Sequence, residues 1–86
     1  CVAQTRVLAP RSRYDEVVDA LAAAVGAQKV GDPADPEVEI GPLVAERQRE
    51  RVEGYLDAGR KEGARVVVGG GRPEGLEGGW FVEPTV

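Results

Sequence analysis

Histidine and methionine are absent from this sequence, and cysteine occurs once, at position 1. A single cysteine cannot form an internal disulfide, so no disulfide framework stabilises the 86 residues. Without histidine, the sequence offers no Ser-His-Asp or Cys-His catalytic pair, and it lacks the soft ligands of a zinc site. We therefore predict that these residues hold no metal.

Long apolar runs and basic patches are missing as well. No stretch approaches the roughly 20 apolar residues that span a bilayer. The polar run RSRYDE interrupts the first apolar segment, whereas a signal peptide needs an uninterrupted apolar region. The net charge is −4, and acidic and basic residues are interspersed, so the basic stripe that nucleic acids require is absent. We predict a globular protein that binds neither membrane nor nucleic acid.

The first half of the sequence predicts a strand and then a helix. Residues 5–9 (TRVLA) are β-prone and are ended by Pro10. Ser12 is the predicted N-cap of the helix, with Asp15 completing a shortened capping box. Apolar side chains then recur at helical spacing as far as Gly26, and they are Tyr14, Val17, Val18, Leu21, Ala22 and Val25.

Proline and glycine dominate residues 27–43, which predicts a long connection without regular structure. A second helix is predicted over residues 45–62, with Gly63 as its C-cap. One side of this helix is predicted to carry Val44, Gln48, Arg51, Val52, Tyr55, Leu56 and Gly59. Its internal Gly54 and Gly59 each cost about 1 kcal/mol relative to alanine, which predicts close packing against a neighbour.

Two further strands are predicted over residues 65–68 and 80–82, on either side of a glycine-rich turn. The resulting order, β-α-loop-α-β-β, indicates an α/β layer with uncovered sheet edges. The glycines after residue 68 match neither a P-loop nor a G-x-G-x-x-G motif that opens a helix, so they predict a structural turn. The carboxylates form no acid/base pair, and spacing alone gives Glu83 no role.

Cys1 admits several interpretations from composition alone. It is either an N-terminal nucleophile with its own amine as base, the acylated cysteine of a lipoprotein, or a reactive thiol from the interior of a longer chain. An inert, small apolar residue is the fourth interpretation, since free cysteines usually behave in that way.

Five segments, read together, resemble the NAD(P)-dependent aldehyde dehydrogenase superfamily. They are CVAQTR, YDEVVDAL, VGDPADPEVEIGPL, AERQRERVEGYLDAGRKEGARVVVGGGRP and GWFVEPTV, and they cover essentially the whole sequence in order. The cysteine with an arginine five positions on is similar to the end of the family's active-site cysteine signature. The GPL before the second helix, the EGA followed by GG, and the final EPTV are also typical of the family.

The resemblance implies an α/β fold in which residues 1–86 form part of the catalytic domain. The dinucleotide-binding domain, the general-base glutamate and the oxyanion-hole asparagine of the family have no counterpart among these residues. Cys1 falls on the catalytic nucleophile, and Gln48 and Arg51 fall on positions that face the NAD or NADP cofactor. The family further implies an aldehyde substrate, a cytoplasmic location and a homodimer or homotetramer built with the rest of the enzyme chain.

We therefore expect a fragment of an aldehyde-oxidising enzyme that is inactive when isolated. The alternative is a non-catalytic α/β interaction module, which would have a cooperatively protected core of its own. A third hypothesis, an N-terminal-nucleophile hydrolase, requires the amine of Cys1 for its chemistry.

Overall fold

Two α-helices make up most of the regular structure in the computed structural model, which describes residues 3–86. A short 3-10 turn, Arg11–Arg13, leads directly into α1, Tyr14–Gly26, and α2 spans Glu46–Lys61. The ends of both helices lie within one or two residues of the predicted positions, which is the usual uncertainty of helix boundaries. Residues 3–86 contain no strand, so the predicted β-α-loop-α-β-β order is not confirmed.

The segments predicted as strands make isolated backbone pairings in place of a ladder. Val67 and Val68 donate hydrogen bonds to the carbonyl oxygen of Val86, and the amide of Val86 donates to Val68 at 3.1 Å. Residues 5–8 form no backbone hydrogen bond with any part of the chain that the structure describes. A strand needs a neighbour along several residues, and these β-prone segments lack one here.

The start of α1 differs from the prediction. Ser12 is not its N-cap, because it lies inside the 3-10 turn, where the amide of Arg13 donates to the carbonyl of Pro10 at 3.0 Å. Arg13 occupies the N-cap position without a capping side-chain hydrogen bond. Its guanidinium pairs instead with Glu16 in the first turn, and this hydrogen bond holds the pKa of Glu16 below its ordinary value.

The apolar stripe of α1 faces the rest of the chain, as predicted, but it is only partly covered. Its members from Val17 to Val25 are half-buried, whereas Tyr14 is 53% exposed. The two helices do not contact each other within residues 3–86. Phe81 is the one apolar side chain classed as buried among the described residues, at 8% exposure. These residues therefore have a very small core.

The buried side of α2 is only partly the predicted one. Half-buried positions on it include four of the predicted residues, namely Gln48, Val52, Leu56 and Gly59. Val44, Arg51 and Tyr55 are exposed, contrary to the prediction. Arg49, which the apolar pattern does not mark, is buried at 7% exposure. The helix is therefore rotated toward Arg49 relative to the orientation that its apolar residues predict.

The C-terminus of α2 forms a Schellman motif. The amide of Ala64 donates to the carbonyl of Gly59 at 2.9 Å, and the amide of Gly63 donates to Arg60 at 3.1 Å. Gly63 has a φ of 92°, the left-handed conformation that glycine adopts without strain. The C-cap is Glu62, so Gly63, the predicted C-cap, lies one position beyond it and terminates the helix from there.

The neighbour expected beside the internal glycines of α2 is not found among residues 3–86. A Cβ on Gly54 would meet nothing within 4 Å, and one on Gly59 would lie 3.8 Å from the Cβ of Ala64, an ordinary contact. Packing within the described chain therefore gives no reason for glycine at position 54.

The connection between the helices has no regular structure, as predicted, yet it is tied together by its own hydrogen bonds. A single parallel bridge joins Val30 to Ile40. Asp32 and Asp35 each accept a hydrogen bond from the amide two residues on, at 2.9 Å, which closes two successive Asx turns. This local bonding gives the segment a defined shape ahead of α2.

Candidate functional site

Cys1, the predicted nucleophile, lies outside the described residues, and its role stays a prediction. The first described residues border an apolar groove of about 590 Å³ against α1. Its lining includes Thr5, Val7, Tyr14, Leu21 and Val86. Val7 and Tyr14 are exposed in this groove, so an apolar surface adjoins the segment that leads from Cys1.

Gln48 and Arg51 both lie on α2, three positions apart, which places them on neighbouring parts of the helix surface. Gln48 is half-buried and Arg51 is exposed, with its guanidinium carbon 6.0 Å from the ring centre of Tyr55. Neither side chain has a hydrogen bond or ion pair with another described residue. Their amide and guanidinium N–H groups are thus available as hydrogen-bond donors, and their role as cofactor contacts stays a prediction.

Arg49, between these two residues, connects α2 to the segment around Trp80. Its guanidinium carbon lies 5.0 Å from the ring centre of Trp80, within the range of a cation–π interaction. Its Nη1 donates to the carbonyl oxygen of Gly79 at 3.3 Å. The amide of Leu43, just before α2, donates to the carbonyl of Trp80 at 2.9 Å. Trp80 therefore contacts both α2 and the residues that lead into it.

Glu53 and Arg72 form a second link on the same side of α2. Nη2 of Arg72 donates to Oε2 of Glu53 at 3.0 Å, and Nε donates to the other carboxylate oxygen. This bidentate pair, with smaller contributions from the charges of Arg72 and Arg49, holds the pKa of Glu53 below its ordinary value of 4.5. In the sequence, the i, i+4 spacing from Arg49 is a local signal that the Glu53 carboxylate is paired.

The glycine-rich turn is held by the EPT residues, among them Glu83, to which spacing alone gives no role. The amide of Gly70 donates to Oγ1 of Thr85 at 2.9 Å, and the amide of Gly71 donates to the Glu83 carboxylate at 3.0 Å. Glu83 returns a backbone hydrogen bond to the carbonyl of Gly71. Because the amides of Gly70 and Gly71 are bonded within the chain, these two groups are not available to bind a phosphate.

Residues 3–86 contain no group of three or more acidic, histidine or cysteine side chains that could hold a metal ion. The helices of this part of the chain are also too short or too polar to cross a bilayer. The candidate functional site is therefore the surface of α2 that carries the hydrogen-bond donors Gln48 and Arg51. Arg49 and Glu53 link this helix to the rest of the chain.

Comparison with known proteins identifies the family. The family model described as "Aldehyde dehydrogenase family" matches residues 1–86. A geranial dehydrogenase of Castellaniella defragrans is 51% identical over 86 residues, which are 100% of this chain and 18% of the relative. A betaine aldehyde dehydrogenase of Mesorhizobium japonicum is 41% identical over 88 residues, with the same coverage. The chain thus spans about a fifth of the length of these curated relatives.

Solved structures agree with the sequence comparison. An aldehyde dehydrogenase of Mycobacterium tuberculosis, complexed with NAD⁺, superposes with a TM-score of 0.96 and 62% identity over 99% of this chain and 18% of the other. A betaine aldehyde dehydrogenase of Staphylococcus aureus, also in complex with NAD⁺, gives a TM-score of 0.83 and 38% identity over 87% of this chain and 15% of the other. The resemblance seen in the sequence is confirmed, and the chain belongs to the aldehyde dehydrogenase family.

Proposed function

We propose that these 86 residues are part of the catalytic domain of an enzyme that oxidises an aldehyde to a carboxylic acid with NAD⁺ or NADP⁺. The observation that carries the proposal is the close superposition on the aldehyde dehydrogenase of Mycobacterium tuberculosis, which is described with NAD⁺ bound. That relative and the Staphylococcus aureus enzyme both hold NAD⁺, which favours NAD⁺ as the cofactor. The family match over residues 1–86 supports the same assignment.

The proposed nucleophile is Cys1. Its thiolate adds to the carbonyl carbon of the aldehyde, and the carbonyl oxygen becomes the oxyanion of a thiohemiacetal. When bound, the nicotinamide cofactor would supply the acceptor for the hydride that leaves the thiohemiacetal carbon. With that hydride lost, the oxyanion reforms the carbonyl, and the product on Cys1 is a thioester. Water then hydrolyses the thioester on Cys1, which releases the carboxylic acid and restores the thiolate. Sulfur suits both steps because a thiolate attacks readily and leaves readily from an acyl group.

Gln48 and Arg51 are the proposed cofactor contacts of this chain. Their side chains lie on one part of α2 and make no hydrogen bond or ion pair among the described residues. In this proposal they donate hydrogen bonds to the nicotinamide-side ribose, and they orient the cofactor relative to the thiolate of Cys1.

The whole enzyme is proposed to need more than these 86 residues. Because these residues span 18% of a curated relative, we propose that the remainder of the chain supplies the dinucleotide-binding domain and the other catalytic groups. The intact protein is proposed to be a cytoplasmic homodimer or homotetramer. The 86-residue polypeptide made alone should not turn over aldehyde.

The test measures formation of reduced nicotinamide by absorbance, with a panel of aldehydes and both NAD⁺ and NADP⁺. We expect activity from the full-length protein and a loss on the order of 10³-fold or more for Cys1→Ser. Glu50→Gln, an exposed substitution on α2, serves as the control and should keep full activity. Undiminished activity of Cys1→Ser would refute the assigned nucleophile, and turnover by the 86-residue polypeptide would refute the need for the remainder.

A further inference from the structure

We propose that Arg49 is a positioning residue for cofactor binding. Its buried guanidinium sets the rotation of α2 and thereby the direction in which Gln48 and Arg51 point. The inference rests on the proposed function, because it concerns Gln48 and Arg51 as cofactor contacts.

Apolar packing alone fixes the orientation of α2 weakly. Val52 and Leu56 are the only large apolar side chains of this helix that are half-buried, and Tyr55 is 69% exposed. Within the described residues α1 does not contact α2. A helix with so narrow an apolar stripe needs other contacts to select one rotation about its axis.

Arg49 supplies such contacts at the start of α2. The flat guanidinium lies against the Trp80 ring and also donates to the carbonyl of Gly79, so its position is defined in two directions. Trp80 is itself held by the hydrogen bond from the amide of Leu43. The same tryptophan segment therefore fixes the entry to α2 and one side of its first turns.

The helical period transmits this constraint to the proposed cofactor contacts. Successive residues are separated by about 100° around the axis, so Gln48 lies about 100° from Arg49 and Arg51 about 160° from it. Arg49 accordingly faces inward while Arg51 is exposed. Any rotation of α2 that releases Arg49 from Trp80 turns both donors by the same angle.

Stability alone does not account for an arginine at this position. Nε of Arg49 is buried without a hydrogen-bond partner in the described chain, and its nearest carboxylate oxygen, on Glu53, is 4.0 Å away. A buried donor left unpaired opposes folding. A methionine would fill similar space without that cost, so the arginine provides directional contacts that an apolar side chain would not.

The experiment uses the full-length protein and compares wild type with Arg49→Met, which keeps an unbranched, flexible apolar side chain and removes the guanidinium with its directional contacts. We expect the KM for the cofactor to rise about tenfold, with kcat at saturating cofactor within about twofold of wild type. Arg49→Lys, which keeps the charge near the ring but loses the planar fork, should give a smaller increase.

Trp80→Leu tests the same contact from the other side. Because Arg49 and Trp80 act through one contact, the double variant should raise the cofactor KM no more than the larger single change. If Arg49→Met does not yield folded protein, the increase in the KM for the cofactor is measured with Trp80→Leu alone.

Arg60→Met is the matched control, since Arg60 joins the opposite end of α2 to the carbonyl of Gly70. It should leave the cofactor KM within about twofold of wild type, because the first turns of α2 stay anchored. An active wild type whose Arg49→Met variant loses thermal stability but keeps its cofactor KM would overturn the positioning role. An equal increase from Arg60→Met would overturn it as well. A wild type without NAD(P)-dependent aldehyde oxidation would instead contradict the proposed function.

Discussion

At the scale of single residues, Gly69 has the strictest requirement for its amino acid. Its φ of 74° lies in the left-handed region, and a Cβ at this position would overlap the carbonyl oxygen of Pro84. Thr85 Oγ1 would lie 2.8 Å from the same Cβ. The turn after residue 68 thus closes against the EPT residues only because glycine leaves that space open.

Gly69→Ala should therefore destabilise the full-length protein more than a change in backbone preference alone would. We expect a loss of about 2 kcal/mol or more in the free energy of unfolding, measured by denaturant titration. Gly75→Ala is the control, because Gly75 has a similar φ of 79° but nothing within 4 Å of its Cβ. It should cost about 1–2 kcal/mol. Equal losses for the two variants would show that the overlap with Pro84 is relieved at no cost.

At the scale of elements, α2 is held mainly by polar links to the segment that follows it. Arg49 contacts Trp80 near its start, Glu53 pairs with Arg72 in its middle, and Arg60 bonds Gly70 at its end. All three links run to residues 70–80, so the helix and this segment form one unit. One of these links, the ion pair between Glu53 and Arg72, responds to pH, which gives the unit a measurable signature.

The pairing of Glu53 with Arg72 should make stability depend on pH in the acid range. Because Arg72 lowers the pKa of Glu53 below 4.5 in the folded chain, the unfolded chain binds this proton first as the pH falls. The stabilisation is complete above the unfolded pKa and is lost as the pH drops through the folded one. We expect Glu53→Gln to lower the melting temperature of the full-length protein at neutral pH and to match wild type at strongly acidic pH.

The matched control for this pH dependence is Asp19→Asn, an exposed carboxylate on α1 without an ion pair among the described residues. Its melting temperature should follow that of wild type across the acid range. A difference between Glu53→Gln and wild type that stays constant with pH would contradict a charge-based contribution.

At the scale of the whole molecule, the 86 residues expose much apolar surface. Leu8 and Val44 are each 88% exposed, Val7 is 61% exposed, and the groove beside α1 is open. Buried apolar side chains among the described residues are limited to Phe81. A chain with so little buried area gains little free energy to oppose its conformational entropy.

Hydrogen exchange on the 86-residue polypeptide should therefore show no cooperatively protected core. We expect the amides of α1 and α2 to exchange much faster in this polypeptide than in the full-length protein, because the helices do not pack on each other. We also expect the isolated polypeptide to self-associate through the exposed residues 5–8. A free α/β interaction module predicts the opposite, and uniformly slow exchange in the 86-residue polypeptide would support that alternative.

Local sequence determined the elements whose causes are local. The apolar period set α1, Gly63 set the end of α2, and the aspartates and prolines of residues 27–43 set a connection without regular structure. The family, too, could be read from motifs in order along the chain. For α1, the end of α2 and the connection, neighbouring residues supply the physical cause of the local structure, so no distant partner is needed to form it.

Tertiary structure decided the features that depend on residues far apart in the sequence, namely strand formation, the rotation of α2 and the pKa of Glu53. Residues 5–9 have β propensity but no strand to pair with in the described chain, so propensity alone did not make them a strand. The rotation of α2 follows from Trp80, 31 positions after Arg49, and the pKa of Glu53 follows from Arg72. A cation–π contact and an ion pair outweigh a weak apolar stripe here, because they join residues that only the folded chain brings together.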